Sequence, residues 1–583
     1  MSYDILFQQA LSLHEAGQLA AAEQIYRQIL ETAPEQPDVL NLLGLIAQAK
    51  GVQSEACGLF YRALKAAPGR APYYFNLAFS FKLDRKPLEA LENFQKALEL
   101  DPAIAAAYDE IALIYEQLGQ IDKARENWKK ALELDKSLIS ARANLARSRR
   151  NESKALAVEE LERIAAACPD AALTWYYLSQ LYLETNQDAK AWSAAGKAKE
   201  LAPASDEVRV VLGQLALREK HPEKAKIYFE KAALLNPENI AAQLGLADVL
   251  VQLSEPAAED RYKRVLELDP DNFNAHANYA DLLYRQKRIA EALEEYRAAV
   301  ILKPKSAEVS NNLAVILREQ KDYEQALGLL FNALSLNPEL EEISVNLLET
   351  LIIYAGENYD EALKIADNWI QNYPANVFAA HALKALKGEE IEDNKVFSAK
   401  YFEHFADNYE LVVKNIGYSA PLAMGELAGT VVGSVVDLGC GTGLVGEVIK
   451  SPQNHLTGVD LAQGMLDKAA KKGIYDRLEK ADAVEYLQKN GGFDWVFAAD
   501  VAGYLGNLEP LIAAAKGKRL VFSVEKWTGA ENYKLAMSGR YQHKTEYVEN
   551  LLTEYGFRDI VKKETVLRRE NGHPVEGIIF YGK

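Results

Sequence analysis

The 583-residue sequence predicts an all-α helical-repeat array of about 11 units over residues 1–388. A short linker, 389–395, joins it to an α/β domain with a mainly parallel sheet, 396–583. Three observations predict this. A proline returns every 33 or 34 residues, and an alanine and an aromatic side chain return in phase with it. Past the last repeat, a glycine-rich turn separates an apolar strand from an apolar helix.

The repeat marks are Pro34, Pro68, Pro102, Pro169, Pro203, Pro237, Pro270, Pro304 and Pro338, with Lys136 in the one slot lacking proline. Twelve positions before each mark stands an alanine, from Ala22, Ala56 and Ala90 through to Ala292 and Ala326. Eight positions before, an aromatic often appears, as at Tyr26, Phe60, Phe94, Trp128, Phe229, Tyr262 and Tyr296. Small residues let two helices approach, bulky ones interlock them, and proline ends one helix before the next begins. This resembles the tetratricopeptide repeat (TPR), a stacked helix–turn–helix unit. An eleventh, stretched unit ends at Pro374 with Ala362 as its alanine, and a helix over 376–386 caps the stack. The fifth and eighth units are one residue short, which predicts local bends.

Each unit buries its apolar face only against its neighbours, so the array is expected to be a superhelix with an inner groove. The resemblance implies a protein or peptide partner in that groove. The array is also similar to the scaffold of O-linked N-acetylglucosamine transferases, in which asparagines of successive first helices hold a peptide backbone. Asn278, Asn312 and Asn346 recur here at intervals of 34. A carboxamide offers both a donor and an acceptor to any peptide unit. The alternative is that asparagine at this position serves the packing of the repeats themselves.

The charged stretch from Lys387 to Lys395 breaks the period. Beyond it, 396–409 reads as an aromatic-rich amphipathic helix. Val435-Val-Asp-Leu-Gly-Cys-Gly-Thr-Gly443 is a buried strand followed by three glycines, and glycine there allows a tight turn and close approach of a ligand. A second strand ends in Asp460, whose carboxylate can accept both hydroxyls of a ribose. A third element brings Asp482. A fourth strand runs to Asp500, a fifth covers 519–525, and a terminal hairpin turns at Asn571-Gly572.

The Asp437-x-Gly-x-Gly-x-Gly form, in this order of strands, resembles a class I S-adenosylmethionine-dependent methyltransferase with a Rossmann-like core. The whole chain is similar to a bacterial family of predicted methyltransferases fused to TPR repeats. The likeness takes in Leu505-Gly-Asn-Leu-Glu-Pro510, Phe522-Ser-Val-Glu525, Gly539-Arg-Tyr-x-His543 and Leu567-Arg-Arg-Glu570. It implies S-adenosylmethionine held by Asp437, Gly439, Cys440, Gly441, Gly443, Asp460, Leu461, Asp482, Ala483 and Asp500.

Methyl transfer from a sulfonium needs mainly positioning and exclusion of water, so a base is optional for amine or thiol acceptors. For an oxygen acceptor the candidates are His543, Tyr504 and Glu525, with Arg540 and Tyr541 beside the substrate. His543 titrates nearest neutrality, but it also stands just before a helix beginning at Thr545. A small-molecule methyltransferase whose repeats serve only assembly, or a scaffold with a non-catalytic cofactor-binding domain, are the rival readings.

Composition narrows the field. Of the net charge of −18, residues from Lys395 onward carry 23 basic and 24 acidic groups, about −1, so about −17 belongs to the repeats. An acidic array repels phosphate backbones, and no basic stripe or Asn/Asp-Pro-Pro-Tyr motif points to nucleic acid. His455 and His573 have no ligands at metal spacing. Cys57, Cys168 and Cys440 form neither a metal nor a disulfide framework. No run is long and apolar enough to span a bilayer, and Asp4 stands where a signal peptide needs basic residues. A cytoplasmic protein without a membrane partner is expected.

Overall fold

A computed structural model describes residues 3–570 and 572–583. Asn571, half of the expected hairpin turn, and the first two residues lie outside the described set. The chain divides into two compact units, Met1–Ala275 and His276–Lys583.

The first unit is built of antiparallel helix pairs, such as Ala71–Leu83 with Pro87–Leu100. The in-phase alanines and aromatics are its core: Ala22, Tyr26, Ala56, Phe60, Ala90 and Phe94 are all fully buried. Phe229 shows why small residues are required. A Cβ built at Gly213 would sit 2.7 Å from its ring, and one at Gly245 would sit 2.5 Å away. Between the two helices of a pair the chain passes through one left-handed residue, at Gly17, Gly51, Arg85, Gly119, Asn186, Lys220 and Ser254. The fifth pair has no such residue. Its first helix stops early, at Ile139–Ser148, and a 3₁₀ turn over Arg149–Asn151 leads into the second. In the eighth unit, the helix Ala258–Leu268 has only 11 residues.

The second unit holds the remaining repeats and the α/β domain. Among the described residues of the whole chain there are eleven helix pairs and a closing helix, Val377–Lys387. The last repeats belong to the compact unit of the α/β domain because aromatic contacts join them. Phe397 of the helix Lys395–Phe405 stacks on His381 of the closing helix at 3.6 Å between ring centroids and meets Phe378 edge-on at 5.5 Å. Lys400 pairs with Glu341 of the helix Glu341–Ala355.

The sheet has strands β1 (Gly433–Leu438), β2 (Asn454–Asp460), β3 (Arg477–Lys480), β4 (Trp495–Ala498), β5 (Arg519–Trp527), β6 (Tyr533–Leu535), β7 (Tyr541–Lys544), β8 (Val561–Glu570) and β9 (His573–Gly582). The five expected strands are parallel in the order β3-β2-β1-β4-β5. The closing hairpin follows, with β9 antiparallel to both β5 and β8. The β6–β7 hairpin was not foreseen. It extends the C-terminal end of β5, where Glu525–Trp527 pairs with Gln542–Lys544. Among the described residues no helix is long and apolar enough to cross a membrane.

Candidate functional site

Strand order reverses between β1 and β4, so their carboxyl ends diverge and leave a crevice, the usual ligand position in an open α/β sheet. A cavity of about 480 Å³ opens there. Gly439, Gly441, Asp460, Leu461, Asp482, Ala483 and Asp500 line it. Residues nominated from four separate strand ends are thus brought to one place.

The glycine turn is held by backbone conformation and by a carboxylate. Gly439 has φ +63°, and a Cβ there would lie 2.6 Å from Val501 Cγ2. Asp460 accepts the Gly441 N–H through Oδ2 at 2.8 Å and the Ala462 N–H through Oδ1 at 2.9 Å. Each carboxylate oxygen keeps lone-pair capacity for a ligand hydroxyl. Burial pushes Asp460 above the usual carboxylate range, and the backbone N–H groups oppose the shift. Asp482 caps the helix Ala483–Lys489, accepting the Glu485 N–H at 2.9 Å. Asp500 has a left-handed backbone, φ +59°, uncommon for a residue with a side chain. Its N–H donates to Ser523 Oγ at 2.8 Å.

Asp437, Cys440 and Gly443 stand behind this surface and do not line the cavity. Asp437 is fully buried and accepts the Tyr475 hydroxyl at 2.6 Å. Burial pushes its pKa up to about 7, with the Tyr475 hydrogen bond opposing and the charge of Asp460 adding to the rise. Gly443, with φ +96°, gives room to the Tyr475 ring, 3.0 Å from where its Cβ would stand. Cys440 is buried, and its amide donates to the Val459 carbonyl at 3.0 Å.

A second cavity, of about 460 Å³, shares Phe402, Tyr409, Asp500 and Tyr504 with the first. Those four side chains form the partition. Tyr504 accepts from Arg540 Nη1 at 2.9 Å, and the Arg540 guanidinium lies 4.8 Å from its ring centroid. Burial holds the Tyr504 hydroxyl above its ordinary pKa against the pull of Arg540, so it stays protonated at neutral pH. Arg540, a nominated substrate contact, lines this second cavity.

The other nominated residues lie elsewhere. His543 lines neither cavity. It is fully buried, and its Nε2–H donates to the carbonyls of Leu505 and Gly506 at 2.9 Å each. Burial pushes its pKa down to about 4. A ring committed to two carbonyls is placed to hold the 505–506 turn, not to take a proton from a ligand. Tyr541 is buried and lines neither cavity; its hydroxyl accepts the N–H of Ile391, a linker residue of the first cavity, at 2.7 Å. Glu525 is also buried behind the partition. Arg540 Nε and Arg568 Nη2 both donate to its Oε1 at 2.6 Å. Burial acts to raise its pKa, but the two guanidinium groups outweigh that and hold it low.

The asparagine series is divided. Asn346 is buried and donates to Asn311 Oδ1 at 2.9 Å, joining two successive first helices. Asn76, at the same repeat position, does the same with Asn41 at 2.9 Å. Asn312 is half-buried and donates to Asp281 at 3.3 Å. Asn278 is half-buried in the helix Phe273–Arg285.

Several residues of the site were not singled out in the sequence. The charged linker lines the first cavity through Glu390 to Lys395. Glu403 accepts the Gly464 N–H at 3.0 Å, pinning the aromatic helix to the start of the helix Gln463–Lys472 that follows β2. Arg568 was quoted only as part of a motif. For Phe402 and Tyr409 the aromatic run over 396–409 was the available signal.

Residues 435–519 match the family model of a methyltransferase domain. Tetratricopeptide-repeat models match 7–71, 105–138, 206–239, 256–307 and 292–339. The chain joins tetratricopeptide repeats to a methyltransferase domain. It is 35% identical to human methyltransferase-like protein 27 over 111 residues, 18% of this chain and 42% of that protein. It is 27% identical to a DnaJ homolog subfamily C member 7 homolog of Schizosaccharomyces pombe over 157 residues, 24% of this chain and 33% of that one. The chain therefore spans less than half the length of these curated relatives. A tetratricopeptide repeat protein of Parabacteroides merdae overlays with 20% identity and a TM-score of 0.38, covering 42% of this chain and 98% of its own.

Proposed function

We propose that the methyltransferase domain uses S-adenosylmethionine, bound in the first cavity, and transfers its methyl group to an acceptor in the second, while the repeats engage a protein or peptide. The observation that carries this reading is the convergence of Gly439, Gly441, Asp460, Asp482 and Asp500 on one cavity at the strand ends.

The residues fit such a cofactor. The side-chain-free backbone at Gly439 and Gly441 admits close approach. The Asp460 carboxylate suits a ribose diol, and Leu461, Ala483 and Val484 offer an apolar surface for a base. When bound, the cofactor supplies an electrophilic methyl on a sulfonium. The chain's own part is to position and to exclude water. Phe402, Tyr409 and Tyr504 line both cavities where the two adjoin, and Asp500 puts one carboxylate beside them. With His543 and Glu525 tied up in the interior, the carboxylate left at the partition is that of Asp500, and it is paired with Arg540 Nη2 at 3.1 Å. This favours acceptors that need little deprotonation.

Incubating the full chain with S-adenosylmethionine labelled in the methyl group and a lysate of the source cell tests the reading. Label is expected on a polypeptide or on a group carried by one. Label confined to the low-mass fraction would defeat the role of the repeats in presenting the substrate.

A further inference from the structure

The second cavity is walled from two sides that the sequence keeps far apart. Leu348, Ile352 and Ile353 come from the repeat helix Glu341–Ala355. Tyr401 and Phe405 come from the aromatic helix, and Arg568 from β8. The repeat wall brings its own charge pair, with Arg318 2.9 Å from Glu349. His381 of the closing helix adds an imidazole, and Leu348, Ile352 and Ile353 make the rest of that wall apolar.

The opposite wall holds an unsatisfied set of donors. Arg568 has a side chain only 5% exposed. Its Nε donates to Glu570 at 2.8 Å and its Nη2 to Glu525 at 2.6 Å. Its Nη1 is buried without a hydrogen-bond partner and stands 3.6 Å from Asp500 Oδ2, beyond bonding reach. Arg540 Nη2 is also buried without a hydrogen bond, although it lies 3.1 Å from the same oxygen. A guanidinium can only donate, and a buried donor left unmade is costly. Two such edges beside an aromatic chamber call for an acceptor oxygen. A carboxylate matches guanidinium geometry best.

The geometry points to a joint acceptor chamber, walled by the last repeats and the methyltransferase domain, that selects a ring-bearing molecule with a carboxylate. This rests on the proposed methyl transfer for its meaning as an acceptor site. The repeats then form part of the active site itself. The carboxylate can belong to a free acid or to the end of a peptide, and both present the same chemistry to Arg540 and Arg568.

Fluorine NMR on the full chain tests this with four probes: 4-fluorophenylacetate, its amide, and a hexapeptide ending in 4-fluorophenylalanine with a free or an amidated C-terminus. At least one free acid is expected to bind, at least tenfold more tightly than its amide. Binding of the acetate alone assigns a free acid, and binding of the peptide assigns a chain end. Arg568→Gln should abolish the preference for acid. Because loss of Arg568 leaves Glu525 buried with one partner fewer, Ile353→Trp provides the second variant. It should block both acids from the repeat side while leaving affinity for S-adenosylmethionine unchanged. Equal binding of acid and amide, no binding of either acid, or binding indifferent to Ile353→Trp would overturn the proposal. Failure of the unmodified chain to bind S-adenosylmethionine would instead remove the proposed function.

Discussion

The carboxylate of Asp460, at the end of β2, accepts the backbone N–H of Gly441 at 2.8 Å, tying the glycine turn after β1 to the neighbouring strand. One acidic side chain therefore shapes the turn and faces the cavity that the turn borders. Substitutions around it should separate folding from binding in different ways.

Gly439→Ala should damage both. Its φ of +63° strains any side chain, and the new Cβ would meet Val501 Cγ2 at 2.6 Å. A loss of about 1–3 kcal/mol is expected, measured by urea unfolding, with cofactor binding abolished. Val501→Ala in the same chain should recover part of the stability, since it removes the clash and leaves the backbone strain.

In the repeats, Gly245→Ala should cost about 1–3 kcal/mol by overpacking against Phe229, whose ring stands 2.5 Å from the added carbon. Denaturation followed by circular dichroism would measure it. Combining it with Phe229→Leu should give a cost clearly smaller than the sum of the two single changes, because both act on one contact.

Asn346→Ala should lower the melting temperature more than Asn312→Ala does. The first leaves the buried Asn311 carboxamide without its 2.9 Å partner, at a cost of about 1–3 kcal/mol. Asn312 is half-buried and more accessible to a peptide. If partner binding depends on the series, Asn312→Ala is the change that should weaken it with little loss of stability. Calorimetric melting beside a pull-down titration reads both quantities.

The period of the repeats and the β1–β2 signature were legible because they are local. Ala90, Phe94 and Pro102 announce a helix pair within one unit, and the glycines from 439 to 443 lie beside the strand they follow. Asp460, Asp482 and Asp500 were legible as strand ends, since strand order carries them to one crevice. The partition and the arginines were not. Arg540 reaches Tyr504 across 36 positions and Arg568 reaches Glu525 across 43, and no periodicity marks such pairs. His543 was misleading for the opposite reason. Its residue type suggests proton transfer, whereas burial and two carbonyls decide its role.

That burial also predicts a pH dependence. Folded His543 stays neutral down to about pH 4, while the unfolded side chain protonates near the ordinary histidine value of 6.5. The unfolded state therefore binds the extra proton in this window, and stability falls as pH drops from 6.5 to 4, by on the order of 3 kcal/mol for this group. Asp437 runs the other way. Its folded carboxyl keeps a proton up to about pH 7 against 3.8 unfolded, so its contribution is lost as pH rises between those values. The difference between the parent chain and His543→Gln isolates the histidine, and the variant should lose less stability between pH 6.5 and 4. Parallel pH profiles would show that His543 is not held neutral.

The most direct measurement is calorimetric titration of S-adenosylmethionine into the full chain and into Asp460→Asn. The amide keeps one oxygen for the Gly441 or Ala462 N–H but loses the charge and an acceptor for a ribose hydroxyl. Saturable one-to-one binding is predicted for the parent chain. The variant should bind at least tenfold more weakly, about 1.4 kcal/mol, and should melt somewhat lower, because its NH2 group faces one of the two backbone N–H groups that the carboxylate accepts. An equal affinity in the two proteins, or no saturable binding in the parent, would contradict the assignment of the first cavity to the methyl donor.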